Sequence, residues 1–307
     1  MSASAIPSAT PGGRRTPPKP AWLKVRLPSG PDYFLVAGLV RKHALHTICQ
    51  SARCPNAGEC WSARTATFLL LGDVCTRACA FCAVSKGRPG PLDAAEPDRV
   101  AEAAATLGLR YVVITSVTRD DLADGGAAHF ARTIAAVRAR SPETRVEALV
   151  PDFGGDPASL DAVLAAEPDV LNHNLETVEG LYPLIRRPAG NYRRSLAVLE
   201  RAHRAGATTK SGLMVGLGET AAEVRRALSD LRAAGCDLLT IGQYLRPAAD
   251  CAPVDRFYTP EEFEALEREA RAAGFADVAA GPLVRSSYRA GELYRAAREK
   301  GASPCAT

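Results

Sequence analysis

The sequence has no long apolar run. Nowhere does it approach the roughly eighteen consecutive apolar residues of a membrane span, so a bilayer anchor is not expected. Its first stretch, MSASAIPSATPGGRRTPPKP, lacks the apolar core of a secretory signal, and a cytoplasmic location is expected. Acidic residues are absent before Asp32, whereas Arg14, Arg15, Lys19, Lys24 and Arg26 are present, which is the charge bias of an organellar transit peptide. The density of Pro and Gly works against the amphipathic helix such a peptide needs, so residues 1–20 read as a disordered tail. Also missing is any stripe of basic residues interleaved with aromatics. With a net charge of only +4, binding to nucleic acid is not expected.

What the chain does have is cysteine, nine in 307 residues, six of them between Cys49 and Cys82. A reducing cytosol disfavours disulfides, and the thiolate is the soft ligand that iron and zinc select, so the cluster of thiols points to metal. The other three, Cys236, Cys251 and Cys305, have no partner at metal-binding spacing and read as structural. A hydrophobic content of 47% in a chain of this length permits one sizeable core.

Beyond the cysteine-rich segment, apolar runs of strand length alternate with amphipathic stretches. The runs are 65–72, 111–117, 145–151, 169–177, 208–218 and 238–245, and helical patterns with acidic or proline starts and glycine stops lie between and after them. Six βα units with apolar strands imply a parallel sheet covered on both faces, and six rather than eight units imply a partial (β/α)6 TIM-type barrel. The expected organisation is a tail (1–20), a cysteine-bearing N-terminal extension (21–64) that is ordered but irregular, the barrel (65–275) and a C-terminal segment (276–307). Chemistry in such barrels collects at the C-terminal ends of the strands. Here those ends are polar: GDVCTRACAFC, TSVTRDDLADGG, NHNLET, GLGET and QYLRP.

A structural zinc site wants four closed ligands, and some mixture of these cysteines could supply them. Cys75, Cys79 and Cys82 instead offer three thiolates within one loop, which suits three corners of a [4Fe-4S] cubane and leaves the fourth iron open. S-adenosylmethionine can chelate such an open iron through its amino and carboxylate groups.

C-x3-C-x2-C after the first strand, with Phe81 before the last Cys, resembles the motif of the radical S-adenosylmethionine superfamily. A second group, Cys49, Cys54 and Cys60 in CQSARCPNAGEC, joins TSVTRDDLADGGA, NHNLETV, RPAGNYRRSL, KSGLMVGLGE, TIGQYLRP and GPLVRSSYRAGE in resembling the lipoyl synthase family from about Lys19 to Tyr294. The resemblance implies an enzyme that inserts two sulfur atoms, at C6 and C8, into a protein-bound octanoyl-lysine. It implies two [4Fe-4S] clusters and S-adenosylmethionine. One cluster, on Cys75, Cys79 and Cys82, cleaves S-adenosylmethionine; the other, on Cys49, Cys54 and Cys60, is the sulfur source. A serine of RSSY is its fourth ligand, Ser286 or Ser287, with Ser287 favoured. Unactivated C–H bonds offer neither an acidic proton nor an electrophile, so acid–base or nucleophilic catalysis could not begin this reaction.

For the cofactor, the resemblance suggests Phe81 against the adenine, Asn174 and Glu176 at a strand end, and the Asp124, Gly125, Gly126 loop near the methionyl part. Arg187, Tyr192 and Arg193 are candidates for the octanoyl-lysine peptide or an acidic carrier, with a solvated helix face the competing reading. Arg285 and Tyr288 are expected to lock the chain end to the extension, and His173 reads as a core histidine. Implied partners are octanoylated lipoyl carrier domains, namely the E2 subunits of 2-oxoacid dehydrogenases and the glycine cleavage H protein, with an electron donor such as flavodoxin or ferredoxin and iron–sulfur carrier proteins. Other radical sulfur-inserting enzymes, and less favourably a structural zinc protein, are the alternatives. Gln50 and Ser51 depart from the acidic residues common in the family at those positions, and Cys251 lies in a variable stretch; neither departure touches an expected ligand.

Overall fold

The computed structural model describes residues 16–25, 28–185 and 190–299. Apolar β-branched and leucine-rich segments form a central sheet of eight strands, β1 (His46–Thr47), β2 (Thr67–Leu70), β5 (Tyr111–Ser116), β6 (Arg145–Leu149), β7 (Val170–Asn172), β8 (Thr209–Val215), β9 (Leu238–Gln243) and β10 (Asp277–Gly281), in that spatial order. All neighbours from β2 to β10 pair in parallel, and β1 pairs antiparallel on the β2 edge. The edges β1 and β10 do not pair with each other, so the barrel is open. Two further short strands, β3 (Val74–Cys75) and β4 (Ser85–Lys86), form a separate parallel ladder around the first cysteine loop.

Crossover helices cover the outer face: α4 (Glu96–Thr106), α5 (Ala127–Arg140), α6 (Pro157–Leu164), α7 (Gly190–Arg204), α8 (Ala221–Ala233) and α9 (Pro260–Ala272). Their starts are encoded locally. Thr220 with Glu223 and Thr259 with Glu262 are reciprocal capping boxes, and Asp156 accepts the Ala158 and Ser159 N–H groups ahead of Pro157. The six expected βα units are present. A seventh parallel strand, β10, lies in the expected C-terminal segment; its sequence DVAAG has little β-propensity and forms no apolar run.

The N-terminal extension is more regular than expected. It carries α1 (Pro31–Lys42), α2 (Ile48–Ser51) and α3 (Ala57–Ser62). Helix α1 buries Val36, Leu39 and Val40, one i, i+3, i+4 stripe, against Trp61 and Cys49. Its exposed Phe34 and Leu35 blur that stripe in the sequence.

The last helix, α10 (Ala290–Glu299), packs Leu293 and Ala297 on Val170 and Leu238, the first residues of β7 and β9. It therefore covers the N-terminal ends of the strands. Residues 282–289 carry the chain there from the C-terminal end of β10, and the opposite end of the barrel stays open. Inside lies a polar layer with no solvent access: Lys210 Nζ stands 3.0 Å from both oxygens of Glu147. The same carboxylate accepts from Tyr111 OH at 2.6 Å and Asn172 Nδ2 at 2.7 Å. A buried ion pair is tolerable when its remaining hydrogen-bonding capacity is used in this way. No helix among the described residues is long and apolar enough to cross a membrane.

Candidate functional site

A cavity of about 560 Å³ opens at the C-terminal ends of the strands. Its wall carries Cys49, Cys54 and Cys60 from the extension, Cys75, Cys79 and Cys82 from the loop after β2, and both serines of the RSSY stretch. Phe81, His173, Asn174 and Glu176 also line it. Two thiol sets and a serine motif separated by over two hundred residues thus meet in one space.

The loop bearing Cys75, Cys79 and Cys82 is closed by the β3–β4 ladder and pinned from several sides. Ala80 N–H donates to Ile185 O at 3.0 Å, and Ala80 O accepts from Ala252 N–H at 2.7 Å. Arg77, inside the motif, donates to both oxygens of Asp120 at 2.8 and 2.7 Å and to Asp152 Oδ1 at 2.7 Å. Those two acids follow β5 and β6, so Arg77 ties the loop to two strand ends. Burial alone would raise the Asp152 pKa, but the hydrogen bond and charge of Arg77 outweigh it, and the carboxyl is lowered to about 2. This clamp was not foreseen; its only signal in the sequence is a cation within the motif and carboxylates just past two strands.

The second set sits on short helices. Thr47 accepts the Gln50 N–H and caps α2, which carries Cys49; Cys54 N–H donates to Cys49 O; Cys60 N–H donates to Asn56 O and places that thiol on α3. The chain end returns to this helix as expected. Asn56 Nδ2 donates to Leu283 O at 2.6 Å, and Glu59 accepts from Tyr288 OH at 2.8 Å and from Arg289 at 3.1 Å. Tyr288 is a lock, whereas Arg285 donates within its own loop, to Val284 O at 2.6 Å and Pro282 O at 3.5 Å.

Burial, reinforced by neighbouring thiolates, pushes Cys60 up to about 12 and Cys82 up to about 11, and burial also raises Cys49. Cys49 and Cys54 act on Cys60, and Cys79 and Cys75 act on Cys82, so each trio is a set of mutual neighbours. Bound metal reverses such shifts, because a coordinating thiol is held as thiolate. Three thiols in each trio suit three corners of a cubane, so the donor sets fit an iron–sulfur group.

The two serines differ. Ser286 Oγ accepts from Asn172 Nδ2 and donates to Asn174 Oδ1, both at 2.8 Å. Ser287 makes no side-chain hydrogen bond to the described residues. Glu176 has φ +72°, a strained conformation for a side-chain-bearing residue, and bridges to Leu213 at the cavity wall.

Several candidate residues lie away from the cavity wall. Asp124 caps α5, taking the Gly126 and Ala128 N–H groups at 2.9 Å each, and neither it nor Gly125 nor Gly126 lines the cavity. Gly126 is required by packing instead: a Cβ there would stand 2.3 Å from Leu71 Cδ1. Tyr192 is buried and donates to Asp230 at 2.7 Å, so it is unavailable to a peptide or carrier. Arg193 is exposed and pairs with Glu179 at 3.4 Å, and Arg187 lies outside the described residues. His173 is buried with Nδ1 2.8 Å from Val150 O, and it also lines the cavity. Cys236 and Cys251 are buried, the latter with its thiol 3.7 Å from Cys82 O; Cys305 lies outside the described residues.

Comparison with known proteins gives the same frame. The sequence model of the Radical SAM superfamily matches residues 69–231, which implies a [4Fe-4S] cluster and S-adenosylmethionine. The lipoyl synthase of Frankia casuarinae is 56% identical over 279 residues, 91% of this chain and 84% of that protein. That of Mycobacterium avium is 55% identical over 279 residues, 91% of each chain. Among solved structures, methylornithine synthase (PylB) superposes with a TM-score of 0.53 at 14% identity, covering 90% of this chain and 93% of that one, which speaks for the fold alone. With more than half of its residues shared with those synthases over nearly its whole length, and with both cysteine sets on one cavity wall, the chain belongs to the lipoyl synthase family of radical SAM enzymes.

Proposed function

We propose that the chain inserts two sulfur atoms at C6 and C8 of an octanoyl-lysine carried on a lipoyl domain, using two [4Fe-4S] clusters and S-adenosylmethionine. The observation that carries this reading is the shared cavity: Cys75, Cys79 and Cys82 on one part of the wall, Cys49, Cys54, Cys60 and Ser287 on another. When bound, the first cluster supplies the electron that converts S-adenosylmethionine to a 5'-deoxyadenosyl radical, and the second supplies sulfur. The protein's own part is to hold and to shield. Arg77 fixes the first loop against Asp120 and Asp152, and Phe81, Asn174 and Glu176 stand beside it for the cofactor.

Ile48, Leu69, Val117, Leu213 and Met214 give the cavity an apolar wall suited to an alkyl chain and to excluding water from a carbon radical. At its rim, Lys19, Arg53 and Arg246 are exposed and form no ion pair with the described residues. They support docking of an acidic carrier domain, in place of Tyr192. A hydroxylate is a harder ligand for iron than thiolate, so Ser287 suits a cluster that must be dismantled. The test is anaerobic turnover on an octanoyl-lysine peptide. Mass spectrometry should find two added sulfurs, with two molecules of 5'-deoxyadenosine formed per product; cofactor cleavage with no sulfur gained by the peptide would reject the assignment.

A further inference from the structure

The loop from Leu283 to Tyr288 is held at three points, and their positions single out Ser287. Its flanks are tied to α3, through Asn56 to Leu283 O and through Glu59 to Tyr288 OH, next to Cys60 on the same helix. Its middle is tied to the barrel interior through Ser286.

The direction of each hydrogen bond in the middle tie follows from the buried ion pair beneath it. The Glu147 carboxylate, beside Lys210, can only accept, so Asn172 must present its NH2 group to it. That group's other N–H then points at Ser286 Oγ, which must accept. The Ser286 proton is thereby directed onward to Asn174 Oδ1, an amide oxygen that also only accepts. With Asn174 presenting its Oδ1, the Ser286 hydroxyl is engaged on both sides, accepting from Asn172 and donating to Asn174. Ser287, one residue from a barrel tie and one from a helix tie, is left with its hydroxyl uncommitted at the cavity wall.

We infer that Asn172, Ser286 and Asn174, anchored by the Glu147–Lys210 pair, are positioning residues: a hydrogen-bonded clamp that holds Ser287 in place to ligate the cluster of Cys49, Cys54 and Cys60. This rests on the proposed role of Ser287 as that cluster's fourth ligand. The clamp explains why two serines stand in tandem, one to hold and one to bind. It also places the support for a replaceable ligand deep in the barrel, where solvent does not compete with it. Partners one step removed from a metal ligand tune its hold in this way.

The test uses the full-length chain, reconstituted anaerobically with iron and sulfide, without S-adenosylmethionine or peptide. Iron release to a chelator is followed, and Mössbauer spectra assign it to one cluster or the other. Ser287→Ala should release auxiliary iron fastest. Ser286→Ala and Asn172→Ala should each weaken retention of that iron by about tenfold or more, leaving the cluster on Cys75, Cys79 and Cys82 unaffected. Ser286→Thr, which keeps the hydroxyl, should restore the original rate. If Ser287→Ala speeds release and the two clamp variants do not, the clamp is wrong while the ligand assignment stands. If Ser287→Ala is silent, the ligand assignment falls and the clamp with it. Equal loss from both clusters in Ser286→Ala and Asn172→Ala would mean that they serve only general stability, and would also overturn the clamp.

Discussion

The two cysteine sets are built in opposite ways. Cys75, Cys79 and Cys82 lie within eight residues of one loop, laddered to itself and bolted by Arg77 to the ends of β5 and β6. Cys49, Cys54 and Cys60 ride on short helices whose position depends on the chain end more than two hundred residues away, through Asn56, Glu59 and Tyr288. On the proposed function, a contiguous loop on a rigid sheet suits the cluster that cleaves the cofactor at every turnover, and a site assembled from separate pieces, with a serine among its candidate ligands, suits one that gives up its sulfur.

The difference can be broken most sharply at the thiols. Cys79→Ala should abolish both 5'-deoxyadenosine and lipoyl product, whereas Cys54→Ala should keep cofactor cleavage and lose product; chromatography of the nucleoside beside peptide mass spectrometry reads both. Lipoyl product from Cys54→Ala would end the division of labour. Next in size, Arg77→Met should loosen only the barrel loop, weakening retention of its iron by about 10- to 100-fold while the other cluster keeps its iron, as Mössbauer spectra would report.

The Asp152 carboxyl is lowered to about 2 in the folded chain against about 3.9 for an unperturbed Asp, so its contribution is present above about pH 4 and is lost as the pH falls toward 2. That contribution is roughly 2 kcal/mol. Melting curves of the apo-protein between neutral and acid pH should therefore fall less steeply for Asp152→Asn than for the unaltered chain. The smallest effect belongs to the extension: Tyr288→Phe removes one hydrogen bond to Glu59 and should cost about 1 kcal/mol, read by denaturant unfolding.

Most of the barrel could be read in advance, because strands such as YVVITS and helices such as TAAEVRRALSDL carry their own period, caps and stops. Strand β10 could not, since DVAAG becomes a strand only by pairing with β9. Helix α1 was hidden by Phe34 and Leu35, whose exposure breaks its stripe. Within the site, the grouping of Cys75, Cys79 and Cys82 is legible from spacing, whereas a role for Cys49, Cys54 and Cys60 comes only from the family resemblance. Asp124 carries one signal for two roles, because a helix start and a ligand contact draw on the same residue types, and the structure shows it holding the Gly126 and Ala128 N–H groups. Nothing in NYRRSL marks the tyrosine as buried and Arg193 beside it as exposed.

Taken alone, the sequence determined the chemistry available, since three thiols within eight residues constrain one another whatever the rest of the chain does. The tertiary structure decided which residues share a space: Cys49 with Cys79, Asn172 with Ser286, Arg77 with Asp152. Such meetings depend on how a curved, open sheet and a returning chain end bring distant segments together, and no local pattern encodes that distance.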